Sequence, residues 1–121
     1  MMKSAKFLEL EKPNKNGRIY PTKVIEAALA KYKEMTKNDD FPIFKELGVT
    51  HVEADIVGIA TDVRVEDGFL CGNVGFFEDK FDHINTNEII NIRPNAVGTV
   101  KDGVVQDDYR INGFCIVRKP A

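Results

Sequence analysis

Apolar positions along this chain follow two different periods. From Pro21 to Lys37, the residues Val24, Ile25, Ala28, Leu29, Tyr32 and Met35 recur at helical spacing. Lys23, Glu26, Lys31, Lys33, Glu34 and Lys37 fill the opposite side. This spacing predicts a helix with one buried stripe, supported by the alanines of residues 26–30. Asn38 is the expected C-terminal cap. Elsewhere the period is two. Val57, Ile59, Thr61, Val63 and Val65 alternate with other residues and predict a strand that turns these five side chains to one face. Glu66-Asp67-Gly68 predicts a hairpin turn into a returning strand over 69–77, where two glycines predict bulges or close backbone approach. Further strands are predicted at Lys6–Glu11, Ala96–Lys101 and Tyr109–Val117, with a turn at Lys101-Asp102-Gly103.

Phe41 to Gly48 is apolar but interrupted by Pro42, which predicts a short turn or half-strand over the core. Thr86-Asn87-Glu88 predicts the start of one helical turn, and Pro94-Asn95 a break. A strand, a helix and then several strands predict a single α+β domain over 1–121. Its one principal helix packs on a bent antiparallel β-sheet or partial barrel.

Between the first strand and the helix lies Pro13-Asn14-Lys15-Asn16-Gly17-Arg18-Ile19-Tyr20-Pro21. Asn16-Gly17 is a turn dipeptide, since both residues tolerate positive φ. Pro21 pushes Tyr20 toward extended backbone and suits the first helical position, where its missing N–H costs nothing.

At 121 residues, with 43% hydrophobic and 30% charged residues, the chain can bury a core without metal or disulfide staples. Its net charge is −2 and its 17 basic residues are scattered, a pattern that argues against nucleic-acid binding. No long apolar run indicates a membrane span, and no hydrophobic signal region follows Met1-Met2-Lys3-Ser4. Cys71 and Cys115 lie in apolar strand-like runs and read as buried free thiols, and no metal-ligand spacing appears. No cofactor is expected.

The run Asn14-Lys15-Asn16-Gly17-Arg18-Ile19-Tyr20-Pro21 resembles the N-x-N-G-R-x-Y-P entry to the first helix of the prohead (capsid maturation) proteases of tailed bacteriophages. The end of the chain, from Ile111 through Gly113-Phe114 to Pro120-Ala121, resembles that family's closing strand, L-x-G-F-D-V-V-x-x-P-A. The resemblance spans nearly the whole chain and implies a herpesvirus-assemblin-like fold. It also implies a serine nucleophile with a histidine base. Here the one serine is Ser4, near a frayed N-terminus, and Arg93 and Pro94 stand at the place of the family's paired serines. Thr99 reads as a strand residue, and the two cysteines sit inside strands. Nucleophilic catalysis needs a hydroxyl or thiol beside a base, so the expectation is a catalytically dead chain, not an enzyme, with no catalytic residue assigned.

His51 falls at the place of the family's base, with Thr50, Glu53 and Asp55 near it. Without a nucleophile it reads as an ordinary surface or half-buried histidine. His83 reads as a loop residue, and a metal site from His51, His83, Asp55 and Asp82 lacks local spacing. Asp39-Asp40 and Asp107-Asp108 flank turns and read as solvated charges.

Binding rather than catalysis is therefore expected. Arg18 is placed to bond carboxylates or carbonyls, although Arg18 and Tyr20 also suit clamping the turn onto their own sheet. Phe76, Phe77 and Phe81 crowd one loop and mark a candidate protein interface. The family resemblance leads to a non-catalytic phage virion protein, made in the host cytoplasm. It would decorate the capsid surface by binding the major capsid protein lattice, with homo-oligomers on the capsid possible in that setting. The rival readings are a degenerate prohead protease or assembly regulator, and a host-directed binding or inhibitor protein.

Overall fold

The computed structural model describes residues 2–45, 56–77 and 90–118. Its elements in chain order are β1 (Lys3–Glu9), α1 (Thr22–Thr36), β2 (Phe41–Phe44), β3 (Ile56–Glu66), β4 (Phe69–Phe76), β5 (Ile90–Val97), β6 (Val100–Lys101), β7 (Val104–Val105) and β8 (Arg110–Arg118). Six strands form one sheet in the order β1-β4-β3-β2-β8-β5, and β6 and β7 form a small separate ribbon. The sheet curls until its two edges, β1 and β5, come near each other without pairing. The result is a half-barrel carrying one helix, the expected α+β architecture. The sheet is mixed rather than wholly antiparallel, because β2 and β8 run parallel, with Ile43 opposite Phe114 and Phe44 opposite Cys115.

Helix α1 buries Val24, Ile25, Ala28 and Leu29 against the sheet. Its stripe ends one turn earlier than the spacing predicts: Met35 is 66% exposed. Tyr32 closes the buried face instead, stacking on Phe41 at 3.9 Å and donating its hydroxyl to the Asp40 carbonyl at 2.8 Å. Pro21 is the N-cap residue rather than the first helical one, and its side chain caps nothing. The exposed helix N-terminus is served from eleven residues upstream, where the Glu11 carboxylate accepts the Thr22 N–H at 2.6 Å. That bond holds the Glu11 carboxyl below its ordinary range. At the other end Lys37, not Asn38, takes the left-handed cap with φ 57° and donates its N–H to the Lys33 carbonyl. Asn38 caps the following turn, accepting the Asp40 N–H.

The core is organised by aromatic rings. Phe114 is fully buried, 4.3 Å from Phe7 of β1 and 5.5 Å from Phe41 of β2 between ring centroids. Phe41 in turn carries Tyr32 of the helix. Phe41–Phe44 is thus the short strand of the two expected alternatives, though it pairs inside the sheet rather than packing over the core. Pro42 is tolerated because the pairing with β8 begins only at Ile43, so its missing N–H removes no bond there.

Two register shifts along β3 explain why strict alternation fails. One lies opposite Ile43/Phe44 and the other between Thr61 and Arg64, where Asp62 adopts φ 51°. The buried residues of β3 are Val57, Gly58, Ala60 and Val63, while Ile59 and Thr61 are only half-buried. Gly72 sits across from this second bulge; a Cβ there would come 2.9 Å from the Thr61 carbonyl oxygen. Asp67-Gly68 forms the expected hairpin turn, with φ of 50° and 80°. β5 continues through Pro94-Asn95, where a break was expected, and the interruption takes the form of a register shift against β8 between Asn95 and Ala96. As an edge strand it has one side free of ladder bonds, the setting in which proline survives in a sheet. Ser4 lies in β1 opposite Asn73, not in a frayed end.

Two outcomes follow for stability. Phe114→Ala removes the ring that joins β1, β2 and β8, and should cost about 3–5 kcal/mol by urea denaturation, a large part of a small domain's stability. Glu11→Ala should lower the melting temperature by a few degrees at neutral pH. Because the folded Glu11 carboxyl is depressed, its contribution is present above the ordinary carboxylate range and is lost as pH falls through the folded value. The melting temperatures of the two proteins should therefore converge in acid.

Candidate functional site: a cationic cleft at the open seam

The turn that enters the helix is built on Asn14. Its Oδ1 accepts the N–H groups of both Asn16 and Arg18 at 2.9 Å, and its backbone exchanges bonds with Gly17 and Arg18. Only Gly17 uses a positive φ, at 74°; Asn16 does not. The turn is then pinned from the far end of the sequence. Ile19 donates to the Gly103 carbonyl at 2.7 Å and accepts from Val105 at 3.0 Å, forming a parallel bridge onto the β6-β7 ribbon. Gly103 allows this approach, since a Cβ there would lie 2.8 Å from the Gly17 carbonyl oxygen. Tyr20 meets Tyr109 edge-on at 5.9 Å. Burial raises the Tyr109 hydroxyl well above the usual phenol range, and the nearby Arg18 only partly offsets this.

Between this turn, β1 and β5 lies a cleft of about 600 Å³. Its walls include Phe7 and Glu9 of β1, Lys15, Arg18 and Tyr20 of the turn, Arg93 and Pro94 of β5, and Tyr109. A shallower groove continues from it along the same seam, past Lys6, Lys15 and Arg93. Arg18 and Tyr20 divide the two roles expected of them jointly. Tyr20 is half-buried and packs against the core, whereas Arg18 is exposed and its side chain bonds to nothing among the described residues.

The remaining expected residues lie elsewhere. Phe76 is half-buried and packs on the core, and Phe77 is 43% exposed. Phe76 ends β4 and Phe77 follows it, and neither lines the cleft. Phe81, His51, His83, Glu53, Asp55 and Asp82 lie outside the described residues. Thr99 lies between β5 and β6 rather than in a strand, and lines the cleft. Its N–H and hydroxyl both donate to Asp108 Oδ1 at 3.0 Å, which holds that carboxyl below its ordinary range. Asp108 thus acts as a loop clamp. Cys115 is buried; burial pushes its thiol up, and it donates to the Arg93 carbonyl at 3.6 Å. Cys71 is only half-buried, contrary to expectation. Among the described residues no group of acidic, histidine or cysteine side chains is arranged to hold a metal ion, and no helix is long and apolar enough to cross a membrane.

Sequence reasoning missed three contributors. Asn14 was legible only as a motif letter, although its side chain nucleates the turn. Lys15 reads as a generic surface charge, and Arg93 as an occupant of a lost serine position. Asn95 of β5 is a further surprise: it is 7% exposed, and its Nδ2 has no hydrogen-bond partner among the described residues.

A half-barrel of this topology, with the helix entry turn packed against the last strands, is the fold of a phage capsid protease. The chain is similar in structure to the bacteriophage T4 capsid assembly protease, gp21, with a TM-score of 0.75 and 21% sequence identity over 98% of this chain and 82% of that one. No family model matches the chain, and no curated protein matches it in sequence. The prohead-protease-like fold is therefore established. The expectation that the chain is not an enzyme is corrected by this finding. The similar structure is a protease, and at 21% identity it carries the fold without a residue-by-residue equivalence. Arg93 and Pro94 standing at a presumed serine position is therefore no demonstration that activity has been lost.

Asn14→Ala should release two backbone donors at once. The expected outcome is a loss of about 1–2 kcal/mol in chemical denaturation, with faster amide hydrogen exchange at Asn16 and Arg18.

Proposed function

We propose that this chain is a tailed-phage capsid protein: an auxiliary component that binds the major capsid protein lattice and decorates the capsid surface. The observation that carries this reading is the likeness, over 98% of the chain, to a protein described as a capsid assembly protease. An Arg18 that is exposed and unpaired among the described residues, on a hydrogen-bonded turn beside an open cleft, supports a role in gripping a partner. The aromatic contact falls to Phe77, since Phe76 is largely committed to the core.

The same likeness favours a second reading, in which the chain itself cuts capsid-assembly proteins. The two readings separate in one preparation. Purified proheads and mature virions are digested and the chain is quantified by mass spectrometry. Lattice binding predicts intact copies in mature virions on the order of hundreds per particle, as symmetry-repeated sites require. Absence from mature virions, together with cleavage of capsid proteins by the purified chain, would replace the first reading with the second.

A further inference from the structure

The seam between β1 and β5 concentrates positive charge in a protein whose net charge is −2. Lys6, Lys15, Arg18 and Arg93 line the continuous groove. Its one acid, Glu9, already pairs with Lys12 at 3.4 Å. Lys6 lies over the Phe69 ring at 4.4 Å from its centroid, but Lys15, Arg18 and Arg93 make no ion pair among the described residues. By contrast, Arg64 on β3 is bound by both Asp62 and Glu66. Among the described residues Lys15, Arg18 and Arg93 are thus unpaired cations gathered along one groove, whereas Arg64 is satisfied by its own neighbours.

The backbone adds a second feature. β1 and β5 are the two edges of the sheet, and each has strand pairing on one side only among the described residues. Residues 5–7 face 91–93 across the shallow groove, and 7–9 face 93–96 across the deeper cleft, so the two edges run in the same direction. Edge strands hold N–H and C=O groups ready for an extended chain. The two edges approach too closely for a strand to enter between them, so an extended chain lies along one edge only, and the cations select carboxylates.

We infer that the seam is a docking groove for an extended acidic segment of a partner protein, its carboxylates met by Lys15, Arg18 and Arg93. The inference does not depend on the capsid reading, since it identifies the segment by chemistry and not by the protein that supplies it. The turn's rigidity matters, because Arg18 and Lys15 are presented without ordering a loop on binding.

The test is fluorescence anisotropy with the full chain and a labelled eight-residue peptide of alternating Glu and Val, alongside its Gln-Val counterpart. The Glu peptide should bind, with affinity falling as salt rises. The Gln peptide should bind at least about tenfold weaker, as should the Glu peptide to the double variant Arg18→Ala, Arg93→Ala. Lys31→Ala, on the outer face of α1, should leave binding unchanged. Both cleft side chains are exposed, so unaltered circular dichroism is expected of the double variant; should it fail to fold, Lys15→Glu alone gives the same readout. Equal binding of the two peptides, no binding of the Glu peptide at about 1 mM, or undiminished binding by a folded cleft variant would overturn the inference. Presence or absence of the chain in virions has no bearing on these outcomes.

Discussion

The contact on which the rest of the molecule depends is the run of rings from Phe7 through Phe114 and Phe41 to Tyr32. It joins the edge strand β1, the two parallel neighbours β8 and β2, and the helix. Such a run carries large apolar area together with favourable tilted and stacked geometries. It also draws an open sheet into a curl, because Phe7 and Phe114 belong to strands well separated in the sheet order yet stand 4.3 Å apart. Gly113 is part of the same constraint. At φ 153°, with the Pro42 carbonyl oxygen 2.7 Å from where a Cβ would stand, it lets β8 lie against β2 and seats Phe114 at the centre.

Curling has a functional consequence at the sheet's edges. Bringing β1 near β5 without pairing them leaves a seam, and the helix-entry turn closes one end of it. That turn is over-determined: Asn14 holds it from within, and the β6-β7 ribbon holds it from outside through Ile19 and Gly103. Rigid backbone with exposed charge is a combination that costs little order on binding. Half-buried Tyr109 lines the same cleft as Arg18 and offers a phenol hydroxyl beside the cation.

Likeness to a capsid assembly protease at 21% identity carries the fold and not the chemistry. Topology can persist at 21% identity because a fold is specified by the pattern of buried apolar positions more than by particular residues. Chemical roles have no such protection against drift, nor can their loss be read from single positions when equivalence is uncertain. A serine missing from one segment therefore says less about activity than its absence first suggests.

What the sequence determined by itself were the local features. Helical spacing located α1 to within a residue at each end, because its apolar stripe and alanines act within one segment. Asp67-Gly68 and Asp102-Gly103 were legible as turns, since positive φ is a property of the residues themselves. Asn14 through Pro21 and Gly113-Phe114 were legible as the resemblance that led to the right fold. Tertiary structure alone decided the rest. The bulges in β3 reset which side chains point inward, through register with β2 and β4 rather than through any pattern in β3. Pro42 and Pro94 lie in strands because of where their missing N–H groups fall in the sheet. Met35 faces water because Tyr32 reaches Phe41 first. The cleft was not legible either, since Lys15 and Arg93 are 78 residues apart in the chain. They share a surface only because a ring contact at Phe7 and Phe114 draws the two edges together, and no local propensity encodes an encounter between segments so distant.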